Sequence, residues 1–433
     1  MNKRILCSLM AIAIAMASLA QGATRSPYSQ YGLGVLSDQS QGFNRGMNGV
    51  GLALRKGNIV NTLNPASFSA IDSLTFLFDV GLSGQITHFK EGSASVNSKN
   101  ASFEYAVGSF RLMRNVGIGF GILPYSNIGY DHSSTSLLDI AGNSVTETYS
   151  GSGGLHQLFV GAGWRIVPQL SLGVNVGYIW GTYSKSVISS NGNNSVINSL
   201  AKTYSANINN YSVEVGAQWQ QKMTNQDNLT LGATIGIGHK LGADAKCSIL
   251  NINSLTSTCD TTVMVASNPL ATPMTYGVGA AWNHSEKLIV ETDVTLQKWG
   301  SLDFPAYDEA RGTYAPTSGL LKDRYKVNAG MDYVPAPMSQ KYFNRVHYRM
   351  GAGFSTPYCR INGSDGPKEL SLSAGLGLPL QNGWNSRGNM RPVLNISAQW
   401  THASAPGLIT ENTFRINIGL TFNERWFAKW KID

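Results

Sequence analysis

From Leu74 the chain alternates apolar and polar residues: Leu74, Phe76, Phe78, Val80 and Leu82 against Thr75, Asp79, Gly81 and Ser83. The pattern recurs in strand after strand to Phe422, and the connections between strands alternate short and long. Each strand therefore has one apolar and one polar face, and the sheet has a short-turn end and a long-loop end. A transmembrane β-barrel needs both properties: lipid outside, a polar lumen inside, short periplasmic turns and longer external loops. A soluble sandwich needs neither. The expected fold is all-β, a transmembrane antiparallel β-barrel of the bacterial outer membrane over residues 73–422, with about 14 strands.

At the start of the chain Lys3 and Arg4 precede an apolar run from Ile5 to Ala17, followed by Ser18-Leu19-Ala20. The run is too short for a spanning helix and reads as a signal peptide over 1–20. The rest of the chain has no long apolar run, which excludes helical spans. Only 13% of residues are charged, against about 25% in soluble proteins, as fits a surface that faces lipid. The net charge of +8 is scattered without a basic run, so nucleic-acid binding has no support. Cys247 and Cys259 share one long external loop, where either a disulfide closes the loop or both remain thiols. No Cys/His cluster has metal-ligand spacing, and no cofactor motif is present. His88, His132, His239 and His284 form no recognisable pair with Ser or Asp, so no enzyme is expected.

Strand parity assigns further positions. Trp164, Trp219 and Trp282 fall on the lipid-facing parity at the short-turn end, and Trp180 and Trp400 on the same parity at the other end. Aromatic girdles of this kind mark the two membrane interfaces. The opposite parity turns Glu291 and Asp293, then Asp332, then Arg345, His347 and Arg349 into the lumen. Two roles are open to them. They form a charge network anchoring wall to plug, with Arg45, Arg55 or Lys56 as partners, or Arg345, Arg349 and Lys326 build a carboxylate site. The external stretches 90–100, 186–202, 241–271 and 301–321 are rich in Ser, Asn and Gly and read as solvated loops, open to a protein partner.

Residues 21–72 lack strand alternation, yet Tyr28, Tyr31, Leu33, Phe43, Met47 and Val50 are too apolar for a solvated tail. Burying them in the lumen makes this stretch a hatch, and its glycines permit tight backbone packing. The stretch Gly49-Val50-Gly51-Leu52-Ala53, then Asn64-Pro65-Ala66, then a barrel, resembles the FadL family of outer-membrane transporters for long-chain fatty acids and aromatic hydrocarbons. Ser26-Pro27-Tyr28-Ser29 and residues 422–427 resemble its Bacteroidetes branch. The resemblance implies passive uptake of a small hydrophobic ligand, a hatch motif at Asn64, Pro65 and Ala66, and a kinked third strand that opens a lateral gap. Tyr28, Tyr31, Leu33 and Phe43 are the hatch apolars expected to line the ligand pocket. Pro124 with Asn127 is the candidate for the gap, since proline removes a ladder donor; a tolerated bulge is the alternative. The expected partners are outer-membrane lipid, the ligand and, during biogenesis, the barrel-assembly machinery, with residues 423–433 a periplasmic tail. The alternative function is that of a FadL-like barrel in secretion machinery, which handles cargo proteins.

Overall fold

The computed structural model describes residues 25–137, 144–191, 198–253, 255–256, 258–380 and 392–425. The signal-peptide reading of 1–20 lies outside the described residues, as do residues 426–433 of the expected tail, whereas Asn423 to Arg425, also expected in the tail, continue the last strand. One antiparallel sheet closes on itself. Its strands are β1 (Thr75–Glu91), β2 (Ala94–Met113), β3 (Val116–Leu137), β4 (Ser144–Arg165), β5 (Leu170–Asn191), β6 (Ser199–Lys222), β7 (Asp227–Gly236) and β8 (Ala245–Asn253). They continue with β9 (Thr258–Ala266), β10 (Thr275–His284), β11 (Leu288–Gln297), β12 (Arg324–Tyr333), β13 (His347–Ser355), β14 (Lys368–Pro379), β15 (Val393–Ser404) and β16 (Thr410–Arg425). Both β7 and β8 pair with β6 and are the halves of one crossing strand, as are β9 and β10, so the wall has fourteen strands. β1 seals the ring by pairing with β2 and β16.

The alternation does its expected work. Leu172, Val174, Val176 and Tyr178 are exposed on the outer face, while Ser171 and Asn175, on the alternate positions, are buried. Trp164, Trp219, Trp282 and Trp400 are exposed on that same outer face. The inner face is less uniformly polar than expected, because Leu77, Val107 and Phe159 are buried against Phe68 and Ile71 of the N-terminal segment.

The wall is uneven in height. β2 to β6 run 20 to 24 residues, whereas β10 to β15 run 9 to 12. A tilted strand crosses the hydrocarbon in about 9–11 residues, so half of each long strand stands outside the membrane. This corrects the loop assignment at 90–100. There β1 and β2 continue as a ladder to Glu91–Ala94, joined only by Gly92 and Ser93. Beyond the lipid there is no apolar face to maintain, so alternation stops while the hydrogen-bonded ladder goes on.

Two further external stretches are also structured. Ala245–Asn253 and Thr258–Ala266 pair as the β8–β9 hairpin, and Phe304–Asp308 pairs with Thr313–Thr317. That hairpin settles the cysteines. Cys247 is buried opposite Met264 and Cys259 is exposed opposite Ile252, so both are free thiols. Five ladder positions, about 17 Å at strand rise, separate them, whereas a disulfide needs Cα atoms within about 7 Å. Loop residues Leu241, Leu270, Trp299, Tyr314 and Cys359 fold inward onto Leu33 and cap the lumen from outside with an apolar core.

Candidate functional site

The hatch motif is a helix start seated on glycine. Asn64 caps the 3-10 helix Pro65–Ala70: its side-chain oxygen accepts from the Ala66 N–H at 3.1 Å, and its amide donates to Leu52 O and Ala217 O. Pro65 occupies the first turn, where no donor is needed. This helix lies against Gly117, Gly163 and Gly173 of three neighbouring strands. A Cβ at those positions would stand 1.9 Å from Phe68 O, 2.6 Å from Pro65 O and 2.3 Å from Pro65 C. Gly330 and Gly351 likewise make room for Met47, and Gly232 for Leu52. Glycines recurring on the inward parity of these strands, as at Gly117, Gly119 and Gly121, are the sequence's signal for this seat.

Lumen charges then clamp the hatch. Asp293 accepts from the N–H groups of Gly51 and Leu52 at 2.7 and 3.0 Å, and Glu291 from that of Ala53 at 2.8 Å. Asp332 is buried and receives Arg349 Nε at 3.0 Å, His347 Nδ1 at 2.9 Å and Lys56 Nζ at 3.4 Å. The Arg349 guanidinium lies 4.0 Å from the Phe43 ring centroid. Arg345 is not on a wall strand. It ends the 3-10 turn Tyr342–Arg345, its guanidinium 5.7 Å from the Tyr342 ring, because the strand begins only at His347. Parity did not find Glu104, which pairs with hatch Arg45 at 2.9 Å. Asp38, in the hatch, is pushed up by burial, but the charges of Lys326 and Arg45 and the Ser40 hydrogen bonds outweigh this and hold its carboxyl at about 2.

The wall itself is interrupted. The β2–β3 ladder stops at Ala106–Ile122, two residues before Pro124, and β3 carries a bulge between Pro124 and Ser126. Above that point β2 pairs only with β1. The N-terminal strap occupies the other lip. Val35 and Leu36 pair with Asn127 and Ser126, Ser37 N–H donates to Tyr125 O, and Gln39 Nε2 donates to Pro124 O at 2.7 Å. Ser29 Oγ exchanges bonds with both backbone groups of Gly129, and Lys185 Nζ donates to Gln30 O and Gly32 O.

Between hatch and external cap lies a chamber of about 260 Å³, lined by Leu36, Leu123, Tyr125, Phe159, Glu214 and Lys326. The four expected pocket residues do not share it. Tyr28 and Tyr31 line a separate cavity of about 70 Å³. Leu33 belongs to the external core and Phe43 to the hatch core with Met47 and Val50, where their rings and methyls are already packed.

Solved structures share this architecture. The CymD monoaromatic hydrocarbon channel superposes with a TM-score of 0.58 at 13% identity, over 92% of this chain and 100% of that one. A Pseudomonas aeruginosa FadL homologue gives 0.61 at 12% identity, over 90% and 99%. The toluene transporter TbuX of Ralstonia pickettii gives 0.59 at 13%, over 89% and 98%. At such identities the likeness is one of fold. No curated protein matches the sequence. The family model described as BamG spans residues 1–433, and the chain belongs to the BamG family.

Proposed function

We propose that the barrel admits small hydrophobic molecules across the bacterial outer membrane and releases them sideways at the break beside Pro124. The observation that carries this reading is a shared boundary: Leu123 and Tyr125 line the chamber and also lie where the β2–β3 ladder has ended. A cavity of about 150 Å³ holds benzene, so a chamber of about 260 Å³ suits a substituted aromatic ring better than an extended fatty acid. Transfer into lipid is favourable by about 25 cal/mol per Å² of apolar surface, so no other energy source is needed. Passage straight down is opposed by the clamps at Gly51, Leu52 and Ala53. The monoaromatic channels among the structural neighbours lend the reading support. Leu36 and Ser126 stand opposite each other, so L36C/S126C, with the native cysteines changed to serine, would lock the strap onto its lip. Uptake of a radiolabelled monoaromatic by intact cells should fall at least fivefold and recover on reduction. Equal uptake before and after reduction would sink the lateral route.

A second reading, a protein-binding barrel, is supported by the family designation, whose prefix points to the barrel-assembly machinery. Purification from native membranes at one-to-one stoichiometry with an assembly component would favour it.

A further inference from the structure

The short-turn mouth carries a group of arginines that the uptake reading does not use. Arg111 pairs in register with Gly117, and Arg165 lies two residues beyond Gly163, so both share the inward face on which the hatch helix sits. Arg165 Nη2 donates to Ser69 O at 3.1 Å, and Arg111 Nη1 donates to Ser73 Oγ at 2.9 Å. The remaining contacts of Arg111 go to the carbonyls of Met113 and Arg114. Arg55, on the underside of the hatch, has its Nη1 buried without a partner among the described residues, and Arg165 Nε is in the same position.

All acceptors here are neutral. Among the described residues none of the three arginines forms an ion pair with a carboxylate. The charges are also close enough to repel, Arg55 with Arg165 and Arg165 with Arg111. Burial, and then the neighbouring Arg165, lower Arg55 to about 10. Like charges gathered around half-satisfied guanidiniums are an incomplete arrangement, and a carboxylate in the fork of each would complete it.

We propose that this mouth binds an acidic, extended polypeptide segment of a periplasmic protein. Spacing favours a peptide over a lone phosphate. Arg111 and Arg165 stand on β2 and β4 with β3 between them, about 10 Å at two strand spacings, and each is tethered separately to the hatch. Carboxylates on alternate residues of an extended chain recur about every 7 Å, which lets successive side chains reach successive guanidiniums. Position disfavours lipid headgroups. The arginines lie inside the rim, while the lipid side of the same strand ends presents Leu112, Met113 and Trp164.

The test uses the full chain purified in detergent and a fluorescent peptide of alternating Glu and Ser, with a Lys–Ser peptide of equal length as control. Saturable binding of the Glu peptide alone is expected, weakening steeply with salt and at least tenfold weaker in R55Q/R165Q. Heat-modifiable gel migration checks that the barrel is folded. If the double variant fails that check, R55Q alone serves, since Arg55 gives up no described hydrogen bond, and a loss of at least threefold is expected. The proposal is overturned by equal affinity in the variants or by no saturable peptide binding. Binding of inorganic phosphate or phosphatidylglycerol vesicles that the Glu peptide does not displace would overturn it equally.

Discussion

At the residue scale, glycine and carboxylate divide the labour of holding the hatch. Glycine removes side chains where backbone must touch backbone, and the clearest case is Gly173, whose added Cβ would meet Pro65 C at 2.3 Å. Gly173→Val should unseat the Pro65–Ala70 helix at a cost of about 1–3 kcal/mol, typical of overpacking. Gly84, with nothing within 4 Å of its added Cβ, is the matched control and should tolerate valine. Limited proteolysis of the hatch in the folded barrel separates the two, and equal protection in both variants would refute the seat. Arg349→Ala should cost more, about 3–5 kcal/mol, because it strips a buried carboxylate at Asp332 of its best-placed partner. Asp38 adds a pH dependence with a definite sign. Its folded value of about 2 lies below its usual 3.8, so its contribution is present above about pH 4 and disappears as pH falls towards 2. Asp38→Asn should lose about 2 kcal/mol of hatch stability at neutral pH and show a flatter acid dependence over that window.

At the scale of the element, each strand obeys the solvent it meets. The stretch Leu170 to Trp180 was legible because lipid on one side and hatch on the other enforce a period of two. Residues 90–100 and 245–266 were not legible, since ladder bonds are made by backbone and leave no mark on side chains once both faces meet water. The same reason hid the ladder position of Cys247 relative to Cys259. Pro124 was visible as a missing donor, but its surroundings were not. The strap that meets the lip at Val35 and Leu36 is only two residues of strand, too short to carry a periodic signal. Deleting residues 25–39 should leave the barrel folded, because closure depends on β1 and β16, and should expose the upper edge of β3. Amide exchange of Asn127 and Gly129, whose N–H groups face the strap, should then rise at least tenfold. Unchanged protection would mean that the strap does not cover that edge.

On the scale of the whole molecule, the described lumen is closed twice. The hatch is bonded to strands all around the wall, from Glu104 on β2 through Ser171 on β5 and Asp293 on β11 to Ser373 on β14 and Asn417 on β16. Above it, the inward-folded loops around Trp299 and Tyr314 form an apolar core. A barrel of fourteen strands has room for an aqueous pore, and the hatch, on whose Leu33 the external core packs, is what fills it. Purified protein in a planar bilayer should therefore show no steady conductance. Glu291→Gln with Asp293→Asn keeps the shape of the clamp but removes the charge that strengthens its bonds to the Gly51, Leu52 and Ala53 N–H groups. That variant should flicker between closed and conducting levels without opening fully, because the Asp332 and Arg45 anchors remain. Removing residues 25–72 should give a large, noisy conductance limited by the external core alone. A wild-type protein with a stable open level would instead mean that ions pass a hatch with no visible path, and the closed-lumen account would have to be abandoned.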